Sequence, residues 1–234
     1  MRLTKLLWAI VLIGVLLTAA LSPSDSRAAQ VSSAEATTLP ETIPIFPLQD
    51  VTLFPNSAAP LHIFEPRYRA MVADALEGDS IIGMILLEPG HEAEYEGRPP
   101  IYEIGCAGII IAVEELPDGR YNIVLEGLMK FRVLSEDSTR AYRLAEVEAI
   151  PEVLEDRDRP DLVERRQQIE RALTSVLPNM PLPPPDVSDE EVVDGLSMMF
   201  PMEPLQRQEL LEADGLIERA VQLIRRLRAN DSQA

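Results

Sequence analysis

The sequence predicts an α+β chain: a curled, largely antiparallel β-barrel with one helix, followed by a helical subdomain. Three observations carry this. Short runs with period-two alternation, punctuated by Gly, Pro and Asp, fill residues 43–150. One 3.6-residue apolar stripe interrupts them, at Tyr68, Met71, Val72, Ala75 and Leu76. From residue 151 onward the alternation disappears and helical stripes replace it. With 234 residues, 46% hydrophobic and 26% charged, the chain can bury a sizeable core.

The first 29 residues are expected to stand outside that fold. MRLTK is a short basic start, Leu6–Leu17 is an uncharged apolar run, and TAALSPSDSRAAQ offers small residues for cleavage after Ala20 or Ala29. That order is the pattern of an export signal. The run is short of the about 20 apolar residues a membrane span needs, so an uncleaved anchor over residues 6–21 is the alternative. Export implies a periplasmic, lumenal or secreted location, with membrane contact only if the segment is retained. Residues 30–42 read as a flexible leader.

IPIFPL then opens the fold, and Pro44 and Pro47 confine it to an edge strand or an extended lead-in. VTLFP and APLHIF read as short strands. In the latter, Leu61 and Ile63 point one way, His62 and Phe64 the other. Pro66 suits the first helical position and holds Glu65 extended. The Glu65 carboxylate then lies at the positive end of the helix, where Arg67 is expected to pair with it or with another acid. Gly78 is a natural stop. SIIGMILL is a buried strand and EPGHEAEYEGRPP a polar loop. IYEIGCAGIIIAVEEL is a long strand whose glycines suggest a bend or bulge, and PDG at 117–119 turns it into a hairpin. Tyr121 to Leu125 alternate, LMKFRVL continues the pairing, and AYRLAEVEAI adds one more strand.

The helical subdomain, residues 151–230, starts with a charged link. Leu162, Ile169, Ala172, Leu173 and Val176 form the first stripe. After a proline-rich crossing, Ser188 and Glu191 stand at capping-box spacing, ahead of Val192, Val193, Leu196, Met199 and Phe200. Two further helices follow, the last with Leu216, Ile217, Ala220, Val221, Ile224 and Leu227 on one face.

A formal charge of −18 disfavours nucleic-acid backbones. Removal of residues 1–29 takes away three cations and one anion and leaves −20. Lys5 and Lys130 are the only lysines, and no GxxxxGK[ST] loop for ATP exists. Lys130 sits in an alternating strand pattern and reads as a solvated strand lysine. The histidines are His62 and His91, without metal-ligand spacing to any partner, and no cofactor is expected. Cys106, the single cysteine, is flanked by small apolar residues and no cation, so it reads as a buried strand residue rather than a reactive thiolate. Met198, Met199, Phe200 and Met202 gather among the prolines of the helical half and are candidates for an adaptable peptide-binding surface; their helical spacing equally suits a core.

Several of these stretches also carry a resemblance. IPIFPLQDVTLFPNSAAPLHIFEPRYRAMV resembles the opening of the N-terminal domain of Lon protease, with its P-x-F-P-L start, a second F-P, then P-L-x-I-F-E-x-R-Y and a helix. GDSIIGMILL, IGCAGIIIAVEELPDGRYNIVLEGLMKFRVL and QELLEADGLIERAVQLIRRL are similar to the same family in the same order, so the likeness covers about residues 43–228. The resemblance implies a PUA-like barrel followed by helices, and a part that engages protein substrates without the ATPase and peptidase, as in stand-alone members. It transfers no catalytic residue. The expected function is therefore non-catalytic binding of protein or peptide in an exported compartment, through apolar grooves between barrel and helices or by strand pairing at a sheet edge. The alternatives are a hydrolase whose groups converge from distance, and an envelope assembly factor held by the N-terminal segment.

Overall fold

The computed structural model describes residues 38–91 and 97–231, the side chains of 230 and 231 excepted. The export segment and residues 30–37 of the leader lie outside the described residues; residues 38–42 are described, and Thr42 already belongs to the first strand. The strands are β1 (Thr42–Leu48), β2 (Ala58–Ile63), β3 (Ile81–Leu86), β4 (Ile104–Glu115), β5 (Tyr121–Asp137) and β6 (Arg143–Ile150). The helices are α1 (Pro66–Glu77), α2 (Arg159–Val176), α3 (Asp189–Met199), α4 (Pro204–Leu211) and α5 (Gly215–Asp231). Neighbouring strands run β2-β5-β4-β3-β1-β6, and β5 also pairs with β6, which closes the sheet on itself.

The closed sheet gives two cores, one on each of its faces. Ile43, Ile45, Ile81, Ile85, Ala107, Phe131, Ala145 and Val147, contributed by all five ring strands, pack together inside it. Phe131 fills so much of that interior that a Cβ on Gly105 would lie 2.6 Å from its Cζ and 2.5 Å from the Met84 carbonyl oxygen. The larger core lies outside the ring. There Phe54, Met84, Cys106 and Leu125 join Met71 of α1 and Leu162, Val193, Leu211 and Leu223 of the other helices. One wall of the barrel is thus the floor on which the helical half rests.

The first strand departs from expectation. It lies between β3 and β6, parallel to the former and antiparallel to the latter. Its prolines are tolerated because the pairing is staggered: residues 42–45 face β6 and residues 45–48 face β3. Val147 N–H donates to Glu41 O, so bonded pairs alternate from there and Pro44 falls on a non-bonded position opposite Leu144. Residues 51–54 form no strand. Phe54 N–H instead donates to Ser57 Oγ, whose hydroxyl donates back to Phe54 O, and Leu53 and Phe54 are buried in this turn.

The strand–helix corner forms as its residues dictate. Glu65 caps α1 in extended backbone, Pro66 opens the helix, and Arg67 Nε lies 3.0 Å from the Glu65 carboxylate. His62 and Phe64 are exposed while Ile63 is buried. Gly78 ends the helix with φ −112°, so the left-handed residue of this turn is Ser80 at φ 58°. An extra residue of β5, Leu128, stands opposite Ala107/Gly108, an extra residue of β4, Ile111, breaks the register further on, and Gly119 takes φ 77° in the hairpin. The Ser188–Glu191 capping box is formed.

Candidate functional site

Arg219 lies on α5 one turn from each of the buried residues Leu216 and Leu223, and is itself fully buried. A guanidinium there needs every donor engaged. Nη1 donates to Asp194 Oδ1 of α3 at 2.5 Å, Nη2 to both Glu152 carboxylate oxygens at 2.7 Å, and Nε to Leu210 O at 3.1 Å. Lys130 Nζ, from β5, reaches Glu152 at 2.9 Å and donates to Ala213 O at 2.9 Å. Asn56 Nδ2 donates to Asp194 Oδ2 at 2.8 Å. Two cations and two carboxylates therefore cancel, and they join β5, the segment after β6, α3, α4 and α5 at one point.

This overturns the reading of Lys130 as solvated: its relative exposure is 4%. Alternation does put it on the outer face of the barrel. That face is covered here by the helical half, which supplies Glu152 and Ala213 as its partners. Burial pushes the Asp194 carboxyl up to about 6, with Glu152 adding to the rise and Arg219 and Asn56 opposing it. Burial also pulls on Arg219, but the Asp194 and Glu152 carboxylates beside it outweigh that and hold its pKa raised. Cys106 is fully buried on the same wall; burial first, then Asp194, raise its thiol well above the ordinary range, against Arg219 and Lys130. It is a thiol, as its apolar flanks suggest.

Beside this cluster the barrel and helices part into a groove of about 710 Å³. Leu128 of β5, Leu154 of the link, and Leu216 and Ile217 of α5 supply its apolar lining. Asp158, Arg159 and Asp161 at the start of α2, Glu190 in the first turn of α3, and Asp214 just before α5 supply the charged lining, together with Glu152. Three helix starts thus converge on it.

Other sequence candidates fall elsewhere. Phe200 is buried in the large core, Met198 and Met202 pack half-buried against it, and Met199 is half-buried; none of the four lines the groove. The His62 ring is engaged on both nitrogens, by Asn122 Oδ1 at 2.7 Å and by Arg120 Nη1 at 3.1 Å. Because the arginine can only donate, Nε2 accepts and Nδ1–H donates to Asn122. The outer edge of β2 is blunted: Gly127 N–H donates to Ser57 O, so Pro60, paired with Val124, directs its missing donor outward. The charged junction was missed because each member reads as an ordinary face residue. The one available signal was Arg219, which interrupts the apolar stripe of the last helix.

Comparison with known proteins agrees with this architecture. The family model described as the ATP-dependent protease La (LON) substrate-binding domain matches residues 42–229. The chain belongs to that family. Among relatives, Lon protease 2 of Sorangium cellulosum is 28% identical over 182 residues, 74% of this chain and 23% of that protein. Lon protease of Dictyoglomus thermophilum is 34% identical over 119 residues, 50% of this chain and 14% of its own length. The chain thus spans about a quarter or less of these Lon proteases. The N-terminal domain of Mycobacterium avium complex Lon protease superposes with a TM-score of 0.57 at 18% identity, over 82% of this chain and 98% of that one. A Lon N-terminal domain protein from Xanthomonas campestris gives 0.55 at 24% identity, over 79% and 97%. These likenesses fix the fold as that of the Lon N-terminal domain.

Proposed function

We propose that this Lon substrate-binding-type chain is a non-catalytic module that binds polypeptide in an exported compartment, and that the polypeptide lies in the groove between barrel and helices. The observation that carries the reading is the groove itself. Leu128, Leu154 and Ile217 of its lining are half-buried rather than sealed in the core, and the paired charges around Arg219 tie its walls in place, so it is formed before any ligand arrives. The basic start and apolar run of residues 1–17 support export.

The test uses reduced, carboxymethylated α-lactalbumin as a permanently unfolded probe, followed by fluorescence anisotropy. Leu154→Arg and Ile217→Arg each place a charge on a half-buried groove position. Binding is expected to weaken at least tenfold in both while near-ultraviolet circular dichroism is retained. Unchanged binding in both variants would remove the groove from the function. Fractionation of cells expressing the whole chain is expected to recover it outside the cytosol.

A further inference from the structure

Resting on that reading, we infer that the groove takes a polypeptide segment that is cationic as well as apolar, with lysine or arginine placed beside small apolar side chains. The charges around it set this preference. Five carboxylates and one guanidinium line the opening. The guanidinium of Arg159 is already engaged, 3.2 Å from Glu190 and 3.5 Å from Asp156. Asp161 is held by Arg165 at 2.8 Å, and Glu152 by Arg219 and Lys130. Among the described residues Asp158 pairs only with Arg157, at 3.9 Å, and Asp214 stands exposed at the head of α5. These two are the carboxylates with charge to spare, and both line the groove together with Leu216 and Ile217.

The same positions favour acids for a second reason, since carboxylates at helix starts are stabilised by the helix dipole. The two effects differ in size. Each helix start contributes about half a positive charge, so Asp158 and Asp214 leave a negative surplus after their own helices are counted. An apolar segment with acidic flanks meets that surplus as repulsion. A segment with basic flanks sets its aliphatic stems on the apolar lining and its charged ends against the two aspartates.

Three fluorescein-labelled peptides of the same apolar sequence decide it, flanked by lysine, by serine or by glutamate. The probe is the intact chain in 50 mM and in 300 mM salt. The lysine peptide is expected to bind about tenfold tighter than the serine peptide, as two partly exposed ion pairs would give, and the glutamate peptide more weakly than either. The gap should narrow in high salt. The double variant Asp158→Asn, Asp214→Asn removes both charges with side chains of nearly the same shape, at a position 158 that makes no side-chain cap bond to lose, and is expected to bind lysine and serine peptides alike. If lysine and glutamate peptides bind equally, the charge preference is wrong while the groove survives. If the double variant keeps the full preference, the attraction is diffuse and the proposal fails. If none of the three peptides binds, both readings fall. Self-association in sedimentation equilibrium that disappears in the double variant would assign the groove to a second copy of the chain and overturn the proposal.

Discussion

Asp194 is the side chain whose titration reports on the junction. Its carboxyl is pushed up to about 6 from an ordinary 3.8, by burial ahead of all other causes. Between about pH 4 and pH 6 the folded chain holds a proton there that the unfolded chain has released, so this group's contribution to stability falls as pH rises. Exposed Asp118 and Asp137 act in the opposite sense. The backbone N–H groups of Arg120 and Thr139 hold their carboxyls below the ordinary range, and their contribution is lost as pH falls. Comparison with Asp194→Asn isolates the buried group. From pH 4.5 to 6.5 the urea midpoint of the natural chain is expected to fall more, or rise less, than that of the variant, and the Asp194 carboxyl carbon should titrate with a midpoint near 6. Single residues were legible in the sequence where a local rule governs them. Glu65, Pro66 and Arg67 make their corner from backbone and charge preferences alone. Lys130 was not legible, because what covers it comes from residues 152 and 213, and no neighbouring letter announces that.

At the level of elements, the stripes of α1, α2 and α5 and the alternation of β2 translate largely into burial, since each depends on one face meeting one core; Leu76, at the edge of the α1 stripe, falls outside the core and is exposed. Residues 51–54 and the first strand were harder. The former satisfy their backbone through the Ser57 hydroxyl rather than a ladder. The latter keeps two prolines in mid-sheet only because its partners are staggered. The glycines of β4 divide by cause: Gly108 lies opposite the extra residue Leu128 of β5, whereas Gly105 makes room for Phe131. Gly105→Ala is expected to cost about 1–3 kcal/mol, because a ring enclosed by five strands has nowhere to move. Ser188→Ala, which removes half of an exposed capping box, should cost about 1 kcal/mol. Chemical denaturation of the two variants checks the order.

For the whole molecule, the decisive fact is that the larger core belongs to both halves. Phe54 and Leu125 of the barrel and Val193 and Leu223 of the helices are parts of one cluster, and the paired charges sit at its edge. Calorimetry of the chain is expected to show one unfolding transition for both halves rather than two. Arg219→Met would leave Asp194 short of its partner in a buried site and is expected to lower stability by about 3–5 kcal/mol, with the transition still single. Two separate transitions in that variant would mean that the charges, and not the apolar contact, couple the halves. The burial of Lys130 has a practical corollary. If residues 1–29 are removed, it is the last lysine left, and its amine is capped by Glu152 and a carbonyl oxygen. Succinimidyl esters should then tag a captured polypeptide while sparing the protein that holds it, apart from its α-amino group. Mass spectrometry of the tagged mixture would therefore read out the cargo directly.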